Sequence, residues 1–166
     1  MVHVSIASAD QWEDVRDVRL RALTADPDAF GATLAQESAF GPDDWRAFID
    51  SCYVLVARVN GVIGAMITVD TTRHDGGTDA WLGGLWVDPT YRSQGLFRAL
   101  IAFIDAHAAT HQWRSLALGV FVENVAARAV FRAVGFTEYG DAEESWKRPP
   151  LMFQCMVRWP DRPSLD

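Results

Sequence analysis

The sequence predicts an α/β sandwich with helices laid on a mostly antiparallel mixed sheet, and three observations carry that prediction. Apolar periodicity switches between a two-residue and a 3.6-residue repeat in the order β-α-α-β-β-β-α-β-α-β. Asn60-Gly61 joins two β-branched runs and is the strongest short hairpin signal a chain can carry. Between Leu82 and Ala99, LGGLWVDPTYRSQGLFRA passes from an apolar run through a polar, glycine-containing turn into a new helical repeat. At 166 residues the chain is expected to form one domain over 1–166, ending in a short flexible tail at 160–166.

In order, Val2 to Ala7 alternates as a first strand. Ser8 or Asp10 caps the helix that follows, which is striped by Trp12, Val15, Val18 and Leu23 and stopped by Asp26-Pro27-Asp28. Phe30 to Phe40 reads as loop or short helix. Pro42-Asp43-Asp44 opens another helix, with Trp45, Phe48 and Ile49 on its buried side. Tyr53 to Val59 and Val62 to Val69 are the hairpin strands, and Thr71 to Thr78 is a polar loop. Ala80 to Val87 is a strand interrupted by Gly83-Gly84. Paired glycines there mark a packing gap, a bulge or a close backbone approach. A helix starts after Gly95, carries Leu96, Leu100, Phe103 and His107 on one side, and ends near Thr110. Ser115 to Val120 is a strand, and Asn124 to Val134 a helix closed by Gly135 in a left-handed cap. Leu151 to Trp159 is the last strand.

Composition excludes several classes. A net charge of -7 offers no basic stripe to displace counterions, so no nucleic-acid partner is expected. Two cysteines, Cys52 and Cys155, make no disulfide framework, and a reduced, cytoplasmic setting is the simpler expectation. MVHVSIASAD lacks a charged leader region and no run reaches membrane-spanning length, so no membrane partner is expected.

The central stretch carries chemistry. A strand that feeds a helix through a small turn gathers unpaired backbone N–H groups at the positive end of the helix dipole, which is an anion site. Arg92 and Arg98 flank it with full charge. Neither G-x-x-x-x-G-K-[ST] nor G-x-G-x-x-G is present. Arg92-Ser93-Gln94-Gly95-Leu96-Phe97 instead resembles the acyl-CoA loop [QR]-x-x-G-x-[GA] of the GNAT superfamily of N-acyltransferases, preceded by Val87-Asp88-Pro89 as in many members. Asn124 through Ala127, Phe131, Gly135 and Phe136 resembles the second signature, N-x-x-A-x-x-x-[YF]-x-x-x-G-F, about 30 residues on. The resemblance implies a sheet of about six to seven strands with a splayed fourth strand and helices on both faces. It also implies acetyl-CoA as co-substrate, no metal, and direct attack by a primary amine in a ternary complex, in a monomer or homodimer. The backbone from Gln94 to Arg98 would hold the diphosphate, Leu85, Trp86 and Val87 the pantetheine and the oxyanion, and Asn124, near Ala127 and Phe131, the acyl end.

Three positions depart from the pattern. Phe97 stands where a small residue is usual, so its ring is expected to turn into the core. Gly83 occupies the place where many relatives carry a glutamate base. A lysine-like amine of pKa about 10.4 then carries a protonation penalty of roughly 4–5 kcal/mol at neutral pH, and an α-amine near 8 only about 1. Glu37, Glu123 and His74 are the alternative bases, Glu37 first because relatives place this segment over the acceptor. Phe131 replaces a tyrosine that protonates the departing thiolate, and Tyr139 is the stand-in. His107 and His111 have ligand spacing on a helix but no third ligand nearby. The aromatics Phe30, Phe40, Trp45, Trp81 and Trp86 line an acceptor pocket or fill the core. The acidic run Asp141 to Glu144 attracts a cationic acceptor or is a solvated turn. The competing functions are an acyl-CoA-binding module with little turnover and an acetyltransferase of peptide N-termini.

Overall fold

The computed structural model describes residues 1–73 and 77–159. His74 and the expected tail at 160–166 therefore lie outside the described residues. The secondary structure is an open eight-stranded sheet, order β1-β2-β3-β4-β5-β8-β6 with β7 on β8, accompanied by helices. The strands are β1 Val2–Ile6, β2 Tyr53–Val59, β3 Val62–Asp70, β4 Ala80–Val87, β5 Leu116–Phe121, β6 Thr137–Glu138, β7 Glu143–Glu144 and β8 Met152–Arg158. The helices are α1 Trp12–Ala25, α2 Leu34–Ser38, α3 Pro42–Ser51, α4 Leu96–His111 and α5 Val125–Arg132. Two compact units divide these elements: Met1–Asp70 with Gly83–Ile104, and Thr71–Leu82 with the chain from Asp105 onward.

In the first unit β1 pairs antiparallel with β2, and β2 with β3 across Asn60-Gly61. Both turn residues have positive φ, 51° and 84°, as a two-residue type I′ turn requires. Val54, Val56 and Met66 pack with Val15, Val18 and Leu23 of α1 and Trp45 and Ile49 of α3. The alternate residues Leu55, Ala57, Ala65 and Ile67 are equally buried, so both faces of the hairpin are covered. The ambiguous stretch after Phe30 resolves as α2, whose N-cap Thr33 accepts from the Gln36 N–H while the Gln36 side chain accepts from the Thr33 N–H.

In the second unit the start of β4 runs parallel to β5, from Ala80↔Leu116 to Leu82↔Leu118, while β8 pairs antiparallel with β5, β6 and β7. Gly83 to Val87 lie beyond the last β4–β5 pair. Gly135, at φ 92°, closes α5: its N–H donates to Arg132 C=O, and the Phe136 N–H to Phe131 C=O. This is the left-handed cap the sequence predicts. The strand count exceeds the expected six to seven because β6 and β7 are only two residues long, too short to show an alternation. Glu143-Glu144, read from sequence as part of a turn, is β7.

Candidate active site

The predicted anion turn is built within the first unit. Beyond β4, Asp88 organises the chain: Oδ1 accepts from the Thr90 N–H at 2.9 Å, and Oδ2 from Arg21 Nη1 at 2.5 Å. The Asp88 N–H itself donates to Gly64 C=O at 2.8 Å. Burial works against the Asp88 charge, but the Thr90 and Arg21 contacts outweigh it and hold the carboxyl below its ordinary value of 3.8. Gly64 supplies the clearance. A Cβ there would come within 2.8 Å of both the Leu96 and Tyr91 side chains, so the absent side chain seats the turn and the start of α4 on β3.

Ser93 and Gly95 then take positive φ, 63° and 82°, reversing the chain directly into α4. The first helical bond here is Ala99 N–H to Gly95 C=O, 2.9 Å. The amides ahead of Ala99 in the first turn thus have no carbonyl of their own helix to bind. Nothing lies within 4 Å of a Cβ built on Gly95, so the turn is open on that side. Arg98 is exposed and has no side-chain partner among the described residues. Arg92, expected at the same anion, is exposed and also braces the turn. Its Nε donates to Val87 C=O, and its Nη2 to Asp26 Oδ2, which also accepts from Trp86 Nε1 at 2.8 Å. Gln94 turns its amide onto Thr90 C=O. Leu96 is buried and Phe97 half-buried, while the Trp86 ring belongs to the core and Leu85 and Val87 are half-buried.

Upstream, Gly83-Gly84 admits a close approach from the side. Gly84 has φ 59°, and a Cβ there would lie 3.0 Å from Arg19 Nη1. On Gly83 it would lie 3.1 Å from Thr68 Oγ1. Arg19 is buried, 8% exposed, and its Nε and Nη2 donate to the two carboxylate oxygens of Glu37 at 2.7 and 2.8 Å. Phe30 stacks beneath the guanidinium, 5.0 Å from centroid to Cζ. Glu37, the expected base, is therefore committed to a bidentate ion pair, with both oxygens already accepting. Arg19 escaped the sequence reading. Its signal was a cation inside the apolar stripe Val15, Val18, Ala22 and Leu23 of α1, where an unpaired charge would not be buried.

In the second unit Asn124 is the N-cap of α5, its Oδ1 accepting from the Ala127 N–H at 3.1 Å. Phe131 is buried edge-on against Phe136, so no group there can donate a proton. Glu123 is exposed and its carboxylate has no partner among the described residues. Tyr139 is 48% exposed and lines a cavity with Trp81 and Phe153. His107 and His111 stack at 4.7 Å, and among the described residues no group of three or more His, Cys, Asp or Glu is placed to hold a metal. The Cys52 thiol, in the first unit, is pushed up by burial, which disfavours a thiolate nucleophile.

A strand–turn–helix with open first-turn amides on an open, mostly antiparallel sheet is the arrangement that the resemblance to N-acyltransferases leads one to expect, and the family comparison agrees. The family model described as the acetyltransferase (GNAT) family matches residues 12–136, and the chain belongs to that family. A GNAT-family acetyltransferase from Streptococcus pneumoniae shares the fold at TM-score 0.76 and 17% identity, over 96% of this chain and 99% of that one. So does yncA, a putative acetyltransferase from Salmonella typhimurium solved with acetyl-CoA, at TM-score 0.76 and 17% identity over 100% and 98%. The ribosomal-protein-S18-alanine N-acetyltransferase of Escherichia coli is similar at TM-score 0.71 and 18% identity, over 100% and 98%. No curated protein sequence matches this chain.

Proposed function

We propose that this protein transfers the acetyl group of acetyl-CoA to the primary amine of a small-molecule acceptor by direct attack. The observation that carries the reading is the turn from β4 into α4. Two left-handed residues and a helix start whose first-turn amides find no carbonyl in their own helix match what a diphosphate requires. The backbone from Gln94 to Arg98 and the Arg98 side chain are the groups for that diphosphate. Arg92 braces the turn. The amides of Leu85 to Val87 are the donors for the oxyanion, a contribution of about 3 kcal/mol in other acyl-transfer sites. By its place in the second signature Asn124 is assigned to the acyl end.

Acetyl-CoA supplies an activated thioester, and the chain's task is to orient it and receive an ammonium proton. With Glu37 engaged by Arg19, we assign that proton to Glu123 and give Glu37 the role of positioning Arg19. Neither cysteine is needed as an acyl carrier. Free-thiol release from acetyl-CoA across a panel of small amines and short peptides tests this. Amine-dependent release on small amines is expected. Saturable acetyl-CoA binding without release would indicate a binding module, and release on peptides alone would indicate an acetyltransferase of peptide N-termini.

A further inference from the structure

We propose that the cavity of the second unit is a binding site for an organic cation, a guanidinium or ammonium group on a short apolar stem. The cavity measures about 750 Å³. Its walls are the rings of Trp81, Tyr139, Trp146 and Phe153, and such π faces attract cations. Its acidic side is made by Asp141, Glu143 and Glu144. Among the described residues none of these three carboxylates has a hydrogen-bond or ion-pair partner. Three carboxylates against the one guanidinium of Arg73 leave this lining net negative, which favours a cation.

The chain already shows how such a ligand would sit. Arg73 places its guanidinium carbon 3.9 Å from the Trp81 ring centroid, inside the same cavity. A cation from the chain's own loop thus occupies the Trp81 face, and an external one would compete for it. Gly119 leaves room for two of these rings. A Cβ there would lie 3.3 Å from Trp81 and 3.1 Å from Phe153. The acidic rim is also held in place rather than loose. β7 pairs with β8, the Tyr139 N–H donates to Cys155 C=O at 2.9 Å, and the buried Gln154 amide donates to the carbonyls of Tyr139 and Gly140. With the backbone of this rim held, only the exposed carboxylate side chains remain to be ordered on binding, which favours a small, specific ligand over a diffuse counterion cloud.

The test uses n-butylguanidinium as cation, n-butanol as neutral control and agmatine, which joins a guanidinium to a primary amine. Binding is read by tryptophan fluorescence and calorimetry on the whole protein. Saturable binding of both cations and none of n-butanol is expected. The double variant Glu143→Gln/Glu144→Gln should weaken n-butylguanidinium by about tenfold, a loss that shrinks at high salt. Arg73→Ala should tighten it about threefold or more by vacating the Trp81 face. Equal affinity for n-butanol, indifference to the double variant, or no gain on Arg73→Ala would each overturn the site. Thiol release from acetyl-CoA with bound agmatine would identify the cation as the acceptor. Binding without release would identify a non-reacting cation, and either result upholds the site. Because binding is read without acetyl-CoA, the site can fail while acetyl transfer stands, and the reverse.

Discussion

Arg19 and Glu37 show how one contact redistributes roles. A carboxylate with both oxygens on a guanidinium is a rigid brace, and the Arg19 that it braces faces Gly84 through Nη1. Glu37→Gln would leave a buried cation partly unpaired, and a loss of about 3–5 kcal/mol in urea-unfolding free energy is expected. Its residual activity should keep the wild-type pH profile. Glu123→Gln should do the opposite, leaving stability within about 0.5 kcal/mol and moving the rise in rate to higher pH. A Glu37→Gln profile displaced to higher pH, with no loss of stability, would return the base to Glu37. The sequence proposed both residues by segment and charge. It could not separate them, because the difference lies in a partner 18 positions away.

At the scale of elements, the order strand, polar turn, helix start around Gly95 was legible, since φ preferences and helix-end amides are local properties. What holds it was not legible. Gly64, Arg21 and Asp26 come from β3 and from α1 and its end, and no spacing in the sequence announces that they meet Leu96, Asp88 and Arg92. The same logic hid β6 and β7, which exist only because β8 offers an edge. The Asp88 bracket predicts a pH dependence with a definite sign. Its carboxyl is held below 3.8 in the folded chain, so its contribution is fully present above that pH and is lost as pH falls through the lower folded value. Urea midpoints measured between pH 5 and pH 2.5 should therefore fall less steeply in Asp88→Asn than in the wild type, starting from a lower plateau. Identical slopes would show that the bracket carries no linkage.

For the whole molecule, alternation, one hairpin dipeptide and two motifs were enough to predict an open mixed sheet with helices, and the family match over residues 12–136 agrees. Fold and family leave the acceptor undefined, because function sits in sites grafted onto the fold. The cavity at Trp81 illustrates the limit. Its aromatics come from β4 and β8 and from the segments flanking β7, and its acids from β7 and the residues before it, so only the folded chain gathers them. The central claim remains the turn. Calorimetry of coenzyme A against the wild type and Gly95→Val tests it most directly, since a β-branched side chain at φ 82° costs about 1–2 kcal/mol and disturbs the amide array. Saturable binding by the wild type, weakened about tenfold or more by the substitution, is the predicted result. No heat with the wild type, or equal affinity in both proteins, would contradict it.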